Sequence, residues 1–178
     1  MNLATACRAH LNKVVMSKYH VSVAAEAFAA AVLARFGFEV SVQYGANQPG
    51  YDLVAVKGRR MLKINVKGSE NGDWPLLAGY RKDRTWTQAV DAWRSAQASD
   101  LVLFFVSFHD ADWQDMPAMY LARPREVARH LKEGRRGNVA TCLHVERHFK
   151  KGVAKGCTDR IPASWAFSKS RLRQITAV

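Results

Sequence analysis

Asp52, Asn65 and Lys67 are the residues whose types and spacing most suggest chemistry. Asp52 follows the turn-forming stretch Pro49-Gly50-Tyr51, and Asn65 opens the triplet Asn65-Val66-Lys67. A carboxylate is a hard oxygen donor suited to a cation such as Mg²⁺. An ammonium group beside it can orient a water molecule or offset negative charge that builds on a phosphate. The Asn65 side-chain oxygen and the Val66 carbonyl are neutral oxygens that extend the donor set. Glu26 adds a second carboxylate. It stands alone in the apolar run 21–36, where an acid turned inward requires a partner. Glu70, just past the triplet, is a further acid that could reach the same place. Such a set suits phosphodiester hydrolysis, in which a divalent ion, Mg²⁺ or Mn²⁺, polarises a phosphate oxygen and activates a bound water.

These groups can act together only if the chain brings them together. The apolar run predicts a helix over about 17–35, stopped by Gly37. Three runs rich in Val, Ile and Tyr, at 38–44, 51–56 and 61–67, predict strands. The last two are joined by Lys57-Gly58-Arg59-Arg60, a length that fits a hairpin. With Gly58 and Arg59 at the turn, Lys57 opposes Arg60, and the same register sets Asp52 against Asn65. Directly opposed residues have Cβ atoms ~5 Å apart. Strand alternation then puts Lys63, Asn65 and Lys67 on one face and sends Leu62, Ile64 and Val66 into the core. Spacing and hairpin geometry alone thus predict that Asp52, Asn65 and Lys67 converge.

The remaining chain frames this hairpin. Residues 70–84 read as a polar loop and 85–98 as a helix. Residues 101–108 form a continuous apolar run that should be a strand buried on both faces. A short strand at 118–121, a helix from Pro124 to Lys132, a strand over 141–149 and a helix over 164–175 follow, with Pro162–Trp165 as an anchor. The order predicts an α/β fold: one mixed central β-sheet flanked by helices on both faces, in a single domain of 178 residues.

In this arrangement the residues resemble the PD-(D/E)XK nuclease superfamily, which includes many restriction enzymes and the archaeal Holliday-junction resolvases. In the family pattern an acid opens the second strand and an acid-x-Lys triplet closes the third. Asp52 matches the first acid and Lys67 the lysine. Glu26 matches the glutamate often carried on the first helix. The resemblance covers roughly residues 17–108. It implies a restriction-endonuclease-like sheet and a Mg²⁺-dependent endonuclease acting on DNA, with Asp52, Lys67, Asn65 and Glu26 as its catalytic residues. Asp52, Asn65, Val66 and Glu26 would hold the metal. Resolvase-like enzymes cut as dimers, so the likeness also admits a homodimer. The departure is Asn65, which stands where the family has an acid and removes one negative charge from the site. The alternative reading is therefore a nuclease-fold nucleic-acid-binding protein without catalysis, and a third is a structural or regulatory partner protein.

Charge points the same way. The net charge is +12, with a sequence pI near 10.0. Residues 1–122 hold 13 Lys/Arg against 11 Asp/Glu, whereas residues 123–178 hold 14 against 4. A basic region beside a near-neutral body suits an anionic partner, DNA first, with RNA left open. Candidate contacts are Arg135, Arg136, Lys150 and Lys151, with Arg147, Lys155 and Arg160 nearby. In the loop after the third strand, Trp74 and Tyr80 lie near Arg81, Lys82 and Arg84, a mixture that can stack on bases and hold phosphates. Trp86 and Trp93 follow helical spacing and read as core. Cys142, His144, His148 and Cys157 could bind zinc chemically, but their spacing matches no strong zinc pattern, and strand side chains are the better reading. Three cysteines make no disulfide framework, which suits a reducing, cytoplasmic setting. No apolar stretch predicts a membrane span or a secretion signal.

Overall fold

The computed structural model describes residues 16–43, 50–133, 142–152 and 155–177. Helix α1 spans Lys18–Arg35 and starts where the Ser17 side chain accepts a hydrogen bond from the His20 N–H. It stops as expected at Gly37, whose φ of 80° is left-handed. Strands β1 (Glu39–Val42), β2 (Leu53–Lys57) and β3 (Arg60–Ser69) follow, then a two-residue strand β4 (Asp73–Trp74) and helix α2 (Trp86–Ser95). Strands β5 (Leu101–Ser107) and β6 (Ala118–Ala122) precede helix α3 (Pro124–Glu133). The chain closes with the short strands β7 (Leu143–His144), β8 (Glu146–His148) and β9 (Thr158–Arg160) and helix α4 (Lys169–Thr176).

The fold is α/β. The central sheet has five strands in the order β1-β2-β3-β5-β6. It is mixed, because β3 and β5 run parallel while the other neighbours are antiparallel. The parallel pair needs a crossover, and α2 provides it. On one face Ala25, Ala29 and Leu33 of α1 and Leu172 and Ile175 of α4 pack on Ile64, Val66 and Phe104. On the other, Val90 and Trp93 of α2 and Val127 and Leu131 of α3 pack on Leu103 and Phe105. Strand β5 is buried along its whole length, as its unbroken apolar run predicts. Arg171 ties α4 to the sheet: its Nε donates to Leu121 O at 3.0 Å, and its Nη2 meets Glu126 Oε2 at 2.7 Å.

The hairpin has the expected register, with Lys57 opposite Arg60 and Leu53 opposite Ile64. Leu62, Ile64 and Val66 are buried, while Lys63 and Asn65 are half-buried and Lys67 is exposed. The later part of the chain departs from its pattern. The strand expected over 141–149 is divided between two ribbons: β7 pairs with β4, and β8 pairs with β9. The partner changes at Val145, whose N–H goes to Gly72 O. Alternation of residue types does not reveal such a change, since each half alternates correctly. The last helix is likewise shorter than expected. A 3-10 turn at Ala163–Trp165 buries Trp165, and α4 begins only after Ser168 caps Arg171 N.

One contact sets how close α1 lies to the sheet. A Cβ on Gly68 would come within 2.8 Å of Val21 O and of Ala25 Cβ. The helix therefore rests on the glycine, and the small alanines of α1 allow it. Replacing Gly68 with alanine should lower stability by roughly 1–3 kcal/mol through overpacking. A urea melt would show this as a lower midpoint with unchanged slope. An unchanged midpoint would mean that α1 does not bear on β3 at this point.

Candidate active site

Strand β2 begins at Leu53, one position short of the residue facing Asn65, so the edge of β3 beyond Ile64 is left uncovered. Asp52 fills part of that gap. Its N–H donates to Ile64 O at 2.8 Å, and its Oδ2 accepts from Val66 N at 2.6 Å. The other carboxylate oxygen has no hydrogen-bond partner among the described residues. Beside it, the Asn65 amide donates to Gly50 O at 3.3 Å, while Asn65 Oδ1 is buried with no partner. An orphaned buried acceptor carries an energetic cost that a cation or water would relieve.

Glu26 approaches from α1. It is half-buried, and its carboxyl is held above the ordinary glutamate range, first by burial and second by the negative charge of Asp52. The two acids are thus close enough to repel each other. Lys67 sits beyond Val66, exposed on the face it shares with Asn65. It makes no ion pair with Asp52, and no other ion pair among the described residues. It borders an open depression of about 360 Å³ with Trp74, Leu76, Tyr80 and Trp93. The geometry is therefore a cluster on the edge of β3: Asp52 in the sheet plane, Glu26 from the α1 side, Asn65 and Lys67 from the other. Among the described residues no three His, Cys, Asp or Glu side chains gather as a metal cluster. Glu70 is engaged elsewhere, its Oε1 accepting from Met16 N at 3.2 Å.

Trp74 has to be reassigned. It is only 2% exposed, its Nε1 donates to Lys67 O at 2.7 Å, and its ring packs against Phe105 and Tyr120. A ring spent in this way cannot stack on a base. Trp74 instead pins the loop after β3 beside the site. Ser69 helps, its Oγ donating to Asp73 O and accepting from Asp73 N, both at 2.9 Å. Tyr80 is half-buried, and Lys82 and Arg84 are exposed. Arg81 lies over the Trp86 ring at 5.5 Å, with its Nη1 buried and unpartnered.

The C-terminal cations divide into two groups. Arg147 lies 3.6 Å from Asp73, and Arg160 pairs with Glu146 at 2.7 Å, so their charges are partly offset. Lys150 and Lys151 are exposed and have no ion pair among the described residues. Arg135 and Arg136 lie outside the described residues. His144, fully buried, is hydrogen-bonded through Nδ1 to Asp73 Oδ1 at 2.6 Å. Together with the β4–β7 ribbon, this pair laces the C-terminal segment to the loop beside the site. Residue spacing carries no sign of that contact, since 71 positions separate its members. No protein-family model, curated protein or solved structure matches the chain, so the site has to be understood from its own geometry.

The Glu26 carboxyl gives a test. A folded-state value above the unfolded one means that the folded protein favours the protonated acid. The resulting stability is present below the ordinary glutamate range and is lost as pH rises through the raised value. In metal-free buffer at neutral pH, Glu26→Gln should therefore be more stable than wild type, and the gain should vanish in acid. Asp52→Asn should lower the Glu26 value, measured by carboxyl NMR titration. A Glu26 titration unaffected by Asp52→Asn would separate the two groups.

Proposed function

We propose that the chain is a divalent-metal-dependent endonuclease that hydrolyses phosphodiester bonds in DNA, on a restriction-endonuclease-like version of the α/β fold. The observation that carries this reading is Asp52, held on Val66 N opposite Asn65 at the end of the β2–β3 hairpin, with its charge acting on Glu26 of α1, two positions along β3 from a Lys67 that forms no ion pair among the described residues. The donors fit a hard cation. Two carboxylates that repel each other and a buried amide oxygen without a partner are all relieved by one ion with oxygen preference. When bound, such an ion supplies Lewis acidity to a phosphate oxygen and a more acidic water.

Each residue then has a task. Asp52 anchors through one oxygen to Val66 N and would hold the cation with the other. Glu26 would add its charge from α1, and Asn65 its Oδ1. Lys67 places an exposed ammonium where it can orient the attacking water or stabilise the charge developing on the phosphate. Tyr80 borders the depression beside Lys67, and the exposed Lys82 and Arg84 follow it in the chain as candidate phosphate contacts. Asn65 lowers the negative charge of the site by one unit relative to the family pattern. That neutrality favours a second reading, a nuclease-fold module that binds DNA without cutting it.

Asp52→Asn distinguishes the structural from the chemical role. An amide oxygen can still accept from Val66 N, so the variant should fold as wild type, yet Mg²⁺- or Mn²⁺-dependent nicking of plasmid DNA should fall by ~100-fold or more. Asn65→Asp should strengthen metal binding and raise activity. No cleavage of plasmid, linear or branched DNA by wild type with either metal, with salt-sensitive binding retained, would leave the binding module as the function.

A further inference from the structure

The hairpin has a second chemically distinctive end. At its turn, far from Asp52, lies a groove of about 670 Å³ lined by Arg35, Lys57, Arg59, Arg60, Lys169 and Arg173. These six cations come from α1, β2, the turn, β3 and α4, and all are exposed. No carboxylate lines the groove, and none of the six forms an ion pair among the described residues. The floor is aromatic, formed by Phe36 and Phe38, and the Lys57 ammonium stands 5.6 Å from the Phe38 ring centroid. A second depression, of about 450 Å³, shares Arg59, Arg60 and Thr176 with the first and continues the strip to Arg123 and Arg125. Its single acid, Asp100, is already held by Lys63 at 2.9 Å.

Helix ends explain only part of this charge. The last residues of α1 and α4, Arg35 and Thr176, line the groove, as does Lys169 at the start of α4; each helix C-terminus brings roughly half a negative charge. Lys57 serves one of them by donating to Phe36 O, and Arg60 reaches Thr176 Oγ1 at 3.5 Å. Two half-charges offset about one of the six cations. The rest repel one another at a cost in stability that a purely solvated surface would not require on one concave strip. A small anion would seek an enclosed pocket with convergent donors. An open strip of separate cations instead matches the repeated charges of a phosphate backbone, about one per 1.7 Å of duplex axis.

We infer that this groove is a second DNA-backbone contact, at the opposite end of the β2–β3 hairpin from Asp52. Along the strand the two ends are separated by about 17 Å. The groove holds phosphates without chemistry and adds affinity that is independent of sequence. The inference rests on DNA being the partner, and not on catalysis by Asp52.

Duplex binding, followed by fluorescence anisotropy in EDTA across a KCl series, tests it. The triple variant Arg59→Ala, Arg60→Ala, Arg173→Ala should bind roughly tenfold or more weakly at low salt. Its slope of log K against log[KCl] should be shallower by about 2 to 3, near 0.9 for each phosphate that is no longer neutralised. The charge-retaining variant with lysine at the same three positions should keep the wild-type slope, which excludes misfolding as the cause. Wild-type affinity and slope in the alanine variant would overturn the groove while leaving the nuclease reading to its own cleavage assay. Absence of salt-dependent duplex binding by wild type, or binding to heparin or an acidic peptide alone, would overturn the inference as well.

Discussion

Strand β3 outruns the strand that pairs with it, and Asp52 occupies the place where the ladder stops. A backbone N–H left without a partner at a half-buried sheet edge costs free energy comparable to that of a missing hydrogen bond. The Asp52 carboxylate meets that demand at Val66. In doing so it is fixed within reach of Glu26 and beside the orphaned oxygen of Asn65. The same bond thus closes the sheet and orients a charged oxygen, which is why the geometry of the site cannot be separated from the register of the hairpin.

Two close approaches hold that arrangement in place. Gly68 lets α1 rest directly on β3, and the helix brings Glu26 with it. From the other face, Trp74 inserts under the loop and donates to Lys67 O, so the residue that carries the exposed ammonium has its backbone held. Side chains on rigid strands and helices keep their positions better than side chains on loops. The cost is that Trp74 is withdrawn from any contact with a ligand.

Charge in this protein is distributed by partnership more than by position along the chain. The C-terminal segment is the most basic by count, yet Arg147, Arg160 and Arg171 are engaged with Asp73, Glu146 and Glu126. Six cations without an ion pair among the described residues gather at the hairpin turn, and most of them come from the near-neutral first part of the chain. A polyanion meeting this surface would therefore encounter a different field from the one the linear charge count suggests.

The amino-acid sequence by itself determined the local geometry: the helix stop at Gly37, the turn at Gly58-Arg59, the inward face of Leu62, Ile64 and Val66, and the burial of the 101–107 run. These follow from backbone sterics and from periodicities of about 3.6 and 2, which operate over a few residues. The convergence of Asp52 with Asn65 was legible for the same reason, since a tight hairpin converts spacing into position. Only the tertiary structure decided that Asp52 would bond Val66 N, that Trp74 would be buried, that the chain would change partners at Val145, and that Arg35, Arg59 and Arg173 would share a groove. Those outcomes depend on which distant surfaces compete for the same contacts, and residue spacing carries no record of that competition.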